Sequence, residues 1–210
     1  MLYDFDKNQS YEIDLRCLEK EFDKMLSNYP VLAEWVSRWR IVFQKTYKTN
    51  NENIDVSYFD KYSLPIKYEK NKFSINFNIT KAKQIVKSEN LAIEIFDTKD
   101  FQSLMLNFEL RTVEKRSIAE PIIIVPFGNQ FLLIDGNHRL SVALKYNIKQ
   151  IRYVHIYDTS LIWSLVPSIF ERAFYSFIID KGIVSGMIES CKFFDFNKSL
   201  LFEFEDVLSV

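Results

Sequence analysis

Pro121-Ile122-Ile123-Ile124-Val125, Gly128-Asn129, Phe131-Leu132-Leu133-Ile134 and Asp135-Gly136-Asn137-His138-Arg139 follow one another within one short part of the chain. The first run offers no polar residue to solvent, so it reads as a strand buried on both faces. Gly128-Asn129 supplies the positive φ angles of a tight hairpin, and the second apolar run returns as another buried strand. After Gly136 the apolar spacing becomes helical, with Leu140, Ala143 and Leu144 on one face and Asn147 placed to stop the helix. Ile151 to Ile156 reads as a third strand. A helix with short connections between the second and third strands predicts that these two pair in parallel through a right-handed crossover. That arrangement would set Asp135 to Arg139 at the carboxyl end of a central strand, where open sheets bind ligands.

The start of this helix departs from what solvent alone favours. Free backbone N–H groups leave positive potential in a first turn, which favours Asp or Glu, yet the helix opens with Asn137, His138 and Arg139. Arg there costs about 0.3–1 kcal/mol against the dipole. A bound phosphate would return about 1.5–3 kcal/mol for each charge-assisted hydrogen bond from Arg139 and the amides. Gly136 is one of four glycines in 210 residues. Lacking Cβ, it lets the backbone turn sharply and a ligand come close.

From Pro121 through Leu133-Ile134-Asp135-Gly136-Asn137-His138-Arg139-Leu140-Ser141-Val142-Ala143 to Ile156, the chain resembles the core of the ParB/sulfiredoxin-like superfamily. Members hold nucleotide phosphates with a Gly-x-x-Arg turn at a helix start, and include partition-complex nucleotide switches, sulfiredoxins, a free-serine kinase and DNA-modification regulators. The Asp-Gly-x-His-Arg pattern is most similar to the kinase-like and DNA-modification-associated branches. The resemblance implies phosphate or cofactor contacts at Gly136, Asn137, His138, Arg139 and Ser141. It also implies a metal-holding or basic role for Asp135, proton handling by His138, and activation of an acceptor hydroxyl by Glu114 or Glu120. The implied cofactor is a nucleotide (ATP, ADP or CTP) with Mg²⁺. Sulfiredoxins carry Cys where this chain has Asn137, which argues against sulfinic acid reduction. Partition proteins carry Gly-Glu-Arg-Arg instead of Gly136-Asn137-His138-Arg139, and no second phosphate box or helix-turn-helix follows residue 157, which argues against a partition role.

Composition bounds the rest. With 48% apolar and 16% aromatic residues in 210, the chain can bury one sizeable core with a smaller appendage. The apolar run from Thr159 to Phe170 is too short to span a bilayer, and the first residues are acidic where a secretory signal is basic. These features predict a cytoplasmic protein without membrane contact. Cys17 and Cys191 lack metal-ligand spacing and read as ordinary thiols. A net charge of −1 does not favour duplex DNA, although Lys67, Lys70, Lys72, Lys81, Lys83 and Lys87 form a basic face.

Residues 11–46 predict two helices, the second entered through Pro30, with Leu32, Trp35, Val36, Trp39 and Val42 as a core stripe rather than a base-stacking surface. Asn50 to Asn53 reads as a polar connection. Phe73 to Asn78 alternates as a half-buried strand. A helix over Thr80 to Lys87, a strand over Leu91 to Phe96 and a helix from Lys99 to Phe108 capped by Asp97-Thr98 follow. His155 reads as a structural residue within its strand. In the last third, Pro167 predicts the start of a helix and Gly182 its close, and Phe202 and Phe204 alternate with Glu203 and Glu205 in a pattern that fits a terminal strand or a partner surface.

The expected fold class is α+β: a small mixed sheet with a βαβ core over 54–157, a helical appendage over 1–50 and a helical cover over 158–210 packed on the core. Three functions fit: a nucleotide-dependent phosphotransferase or hydrolase; a nucleotide-sensing or DNA-associated regulator from a phage, plasmid or defence system; and a nucleic-acid module gripping a backbone phosphate. A homodimer is compatible with each.

Overall fold

The computed structural model of the protein describes residues 15–49, 60–68, 71–114, 118–128, 130–189 and 199–200. In chain order the elements are α1 (Leu15–Asn28), a 3-10 turn (Pro30–Leu32), α2 (Ala33–Thr49), β1 (Lys61–Tyr68), β2 (Asn71–Asn78), α3 (Ile79–Ser88), β3 (Glu94–Asp97) and α4 (Thr98–Leu104). They continue as β4 (Ile122–Phe127), β5 (Gln130–Asp135), α5 (Asn137–Lys145), β6 (Gln150–His155), α6 (Thr159–Leu165) and α7 (Ile169–Glu189). The class is mixed helix and sheet, as the periodicity predicts. None of the described helices is long and apolar enough to cross a membrane.

The chain divides into two compact units. One takes Met1–Asp55, Ser63–Asn76 and Val166–Val210, so the first and last helical segments share a unit; the other takes Val56–Tyr62 and Phe77–Leu165.

In the first unit, α2 presents Trp35, Val36, Trp39, Val42 and Phe43 to a fully buried interior. The ring of Phe177 on α7 sits 5.5 Å from Phe22, Trp39 and Phe43 and 5.7 Å from Trp35. The tryptophan pair is therefore core, as its helical spacing predicts. Both indoles donate to Asp180 Oδ2 at 3.2 Å. Gly182 lies inside α7 rather than closing it, a correction explained by the apolar pattern, which continues past it through Ile183 and Val184. Strand β1 is not flagged by alternation because Pro65 interrupts it, yet Leu64 and Ile66 on either side are buried.

In the second unit the four-stranded sheet has the order β3-β6-β4-β5. β4 runs parallel to β6 and antiparallel to β5, and β3 is antiparallel to β6. This corrects the expected pairing of the second and third core strands. The hairpin at Gly128, φ +59°, places β5 on one side of β4, which leaves the other side for β6. β5 is thus at the sheet edge, and Asp135 at its end lies opposite Ile123 near the start of β4, away from the carboxyl ends of the parallel pair.

One face of the sheet places Ile122, Ile124, Leu133 and Ile151 against Phe101 and Met105 and against Leu140 and Ala143 of α5. The alternate residues Ile123, Val125, Leu132 and Val154 are buried too, so β4 is covered on both faces, and each such side chain contributes about 1.5–3 kcal/mol of burial. The edge of β5 is closed by a side chain. Asn107 accepts from Leu133 N and donates to Leu133 O, both at 2.9 Å, so its amide takes the place of a strand residue. Its Nδ2 also donates to the Tyr62 hydroxyl at 2.6 Å.

α3 and α5 end alike. Asn90 and Asn147 adopt left-handed φ values of 48° and 52°, and the next amides reach back to Val86 O and Ala143 O, as the Asn147 stop signal anticipates. Asp97 caps α4 through the Lys99 and Asp100 amides; that helix stops at Leu104, short of the expected Phe108. Asn50 to Asn53, Cys191, Phe202, Phe204 and the side chains of Lys67, Lys70 and Lys72 lie outside the described residues.

Candidate functional site

The turn from β5 into α5 is built on Gly136. Its φ of +104° is one that L side chains rarely adopt, and a Cβ there would lie 2.3 Å from Ile122 Cγ2 and 3.1 Å from Arg139 Nε. Glycine is required twice, by the backbone angle and by the space. It occupies the N-cap of α5 with no side chain capping the first turn, which contains no acidic residue. The first-turn amides therefore retain their positive potential.

Arg139 folds back over this turn. Its NH2 donates to Asp135 Oδ2 at 2.7 Å and its NH1 to Glu120 Oε2 at 3.1 Å. Lys83 Nζ of α3 lies 3.4 Å from the same Asp135 oxygen. The side chains differ sharply in exposure: 14% for Arg139, 18% for Asp135 and 80% for Glu120. Arg139 is consequently not a bare cation awaiting an anion. Its inner side is fixed by a withdrawn carboxylate, and its outer side meets a carboxylate standing in solvent.

The remaining sequence-designated residues separate. His138 is exposed, and its Nε2 lies 3.3 Å from Arg111 NH1, a contact in which only the guanidinium can donate. Asn137 donates to Glu109 O at 3.2 Å, while its buried Oδ1 has no partner among the described residues. Ser141 is wholly buried and accepts from Arg111 N at 3.1 Å, so it secures the incoming chain instead of facing a ligand. Lys145 holds the same segment through Val113 O at 2.7 Å. Glu114 is exposed and forms no hydrogen bond or ion pair with the turn. His155 packs edge-on to Phe131 at 5.0 Å, and burial lowers its pKa against the opposing influence of Glu94.

The resemblance assigns Asp135 a metal-holding or basic role. Its Oδ2 is instead engaged by Arg139 and Lys83, and no group of three His, Cys, Asp or Glu side chains gathers for a metal among the described residues. The described side chains around Asp135 do not form a dedicated Mg²⁺ site. Two cations escape sequence reasoning, Lys83 beside Asp135 and Arg111 beside His138. Lys83 reads as one of several lysines on a solvated helix, and only the tertiary fold turns it toward Asp135. Arg111 belongs to a charged approach whose direction no local pattern specifies.

The cluster thus combines uncapped amides, Arg139 and Lys83 against Asp135 and Glu120. Displacing the exposed Glu120 would leave an excess of positive charge suited to a multiply charged oxyanion. No protein-family model, curated protein or solved structure matches this chain.

Proposed function

We propose that the Asp135–Arg139 turn binds the phosphate groups of a nucleotide, within a ParB/sulfiredoxin-like core. The observation carrying this reading is the left-handed Gly136 cap with an uncapped first turn, over which a guanidinium folds. Asp135 orients Arg139, Lys83 supports that carboxylate, and the Arg139 edge now facing Glu120 receives phosphate oxygens together with the amides of Asn137 to Arg139. Mg²⁺, where required, arrives coordinated to the nucleotide.

Two readings of the bound nucleotide follow. A phosphotransferase or hydrolase would use Glu120 or His138 for the proton. A sensor would use binding alone, and this second reading is favoured by the engagement of Asp135 with two cations, which withdraws it as a base. A thermal-shift panel of ATP, ADP and CTP, with and without Mg²⁺, tests the proposal. A saturable rise is expected, equivalent to about 2.7 kcal/mol at one hundred times Kd, and it should vanish in Arg139→Ala. Nucleotide turnover lost in Glu120→Gln with binding retained would select the enzyme. DNA binding that falls steeply with salt, with no nucleotide effect, would replace both readings with the nucleic-acid module.

A further inference from the structure

Glu120 combines two properties that do not ordinarily coincide. Its carboxylate is 80% exposed, yet it bonds a guanidinium that is only 14% exposed. Arg139 NH2 is already held by Asp135, so the Glu120 carboxylate stands at the remaining outward edge of the cation. The backbone on either side of Glu120 is restrained: Arg152 NH1 donates to Ala119 O at 2.9 Å, and Pro121, whose ring limits φ, leads directly into β4. The carboxylate is tethered beside Arg139 and competes there at high effective concentration.

We propose that Glu120 is a built-in anionic competitor, a carboxylate that occupies the outer edge of Arg139 and must swing away before a phosphate can use it. This inference rests on the phosphate reading above. The exposed pair is the weak link of the cluster, because solvent already surrounds one partner. The inner Arg139–Asp135 pair is withdrawn from water and stays intact during the exchange, so the guanidinium keeps its orientation while its outer partner changes. Affinity for a phosphate ligand is thereby held below what the turn alone would provide.

Isothermal titration of the full chain with inorganic pyrophosphate and with ATP, at one fixed salt concentration, tests this. Glu120→Gln should bind pyrophosphate roughly three- to tenfold more tightly than wild type, the range corresponding to loss of an exposed ion pair and of a like charge beside the ligand. Glu120→Asp, whose carboxylate is one methylene shorter, should gain part of that. In an Arg139→Lys background the Glu120→Gln gain should shrink, because the fork that couples the two sites is gone. Equal affinity of wild type and Glu120→Gln would overturn the competitor while leaving phosphate binding in place. An undiminished gain in the Arg139→Lys background would reduce the effect to general charge and also overturn it. Absence of pyrophosphate and ATP binding in wild type and Glu120→Gln alike would remove the phosphate reading itself.

Discussion

Asp180 and Arg139 are both charged side chains withdrawn from water, and the protein treats them in opposite ways. Asp180 is 1% exposed and receives donors from Trp35, Trp39, Ser199 and the Leu200 amide, with no cation in the set. Every direction around its carboxylate is filled by protein. Arg139 has a filled inner side and an outer side whose partner stands in solvent. A charge sealed on all sides organises packing, whereas a charge whose last partner is exposed is available for exchange with a ligand.

The contrast can be broken most forcefully at Asp180. Asp180→Ala removes the buried acceptor shared by two indole N–H groups, a hydroxyl and an amide, and is expected to cost about 3–5 kcal/mol, read from urea unfolding followed by tryptophan fluorescence. Asp180→Asn should cost less, since one carbonyl acceptor remains. Burial, the largest influence, pushes the Asp180 carboxyl above its usual 3.8, while its donors pull the other way. A raised folded-state pKa makes the group's contribution to stability full below the unfolded value and fading as pH rises through the folded one. The gap between wild type and Asp180→Asn should therefore narrow as pH rises from about 4 toward neutrality. A gap that widened would show that the four donors outweigh desolvation.

Gly136→Ala ranks next. A methyl group 2.3 Å from Ile122 Cγ2 at a φ of +104° must displace β4 or unwind the first turn of α5, with an expected loss of about 2–4 kcal/mol by thermal or urea melting. A near-neutral result would mean that the turn is more pliable than its packing implies. Asn107→Ala should have the smallest effect of the three, about 1–3 kcal/mol, from unpairing Leu133 N and O. Hydrogen exchange at the Leu133 amide should quicken, which distinguishes loss of edge protection from general loosening.

What could be read from the sequence was local. The apolar run at Ile122–Val125, the hairpin glycine, the Asn147 stop and the Trp35/Trp39 stripe each express their structure through neighbours in the chain. Strand order did not, because β5 and β6 are joined by α5 without being neighbours, and β4 between them is specified by the hairpin. Pro65 concealed β1 for a similar reason: a residue that reads as an interruption is accommodated within a strand whose flanking side chains are buried. The candidate site was legible at Gly136 and Arg139, where backbone demands and charge are encoded together. Lys83, Asn107 and Asp180 were not. Each acquires its role from partners far away in sequence, and nothing in its own surroundings distinguishes it from a solvated lysine, a loop asparagine or a helix-surface aspartate.

The most direct test follows the backbone amides of Asn137, His138 and Arg139 by NMR while the protein is titrated with ATP or pyrophosphate. These amides should shift together, saturate with one dissociation constant, and cease to respond in Arg139→Ala, while the Trp35 and Trp39 indole signals stay in place. Saturable binding that leaves the three amides unmoved, or that survives unchanged in Arg139→Ala, would contradict an anion site at this turn.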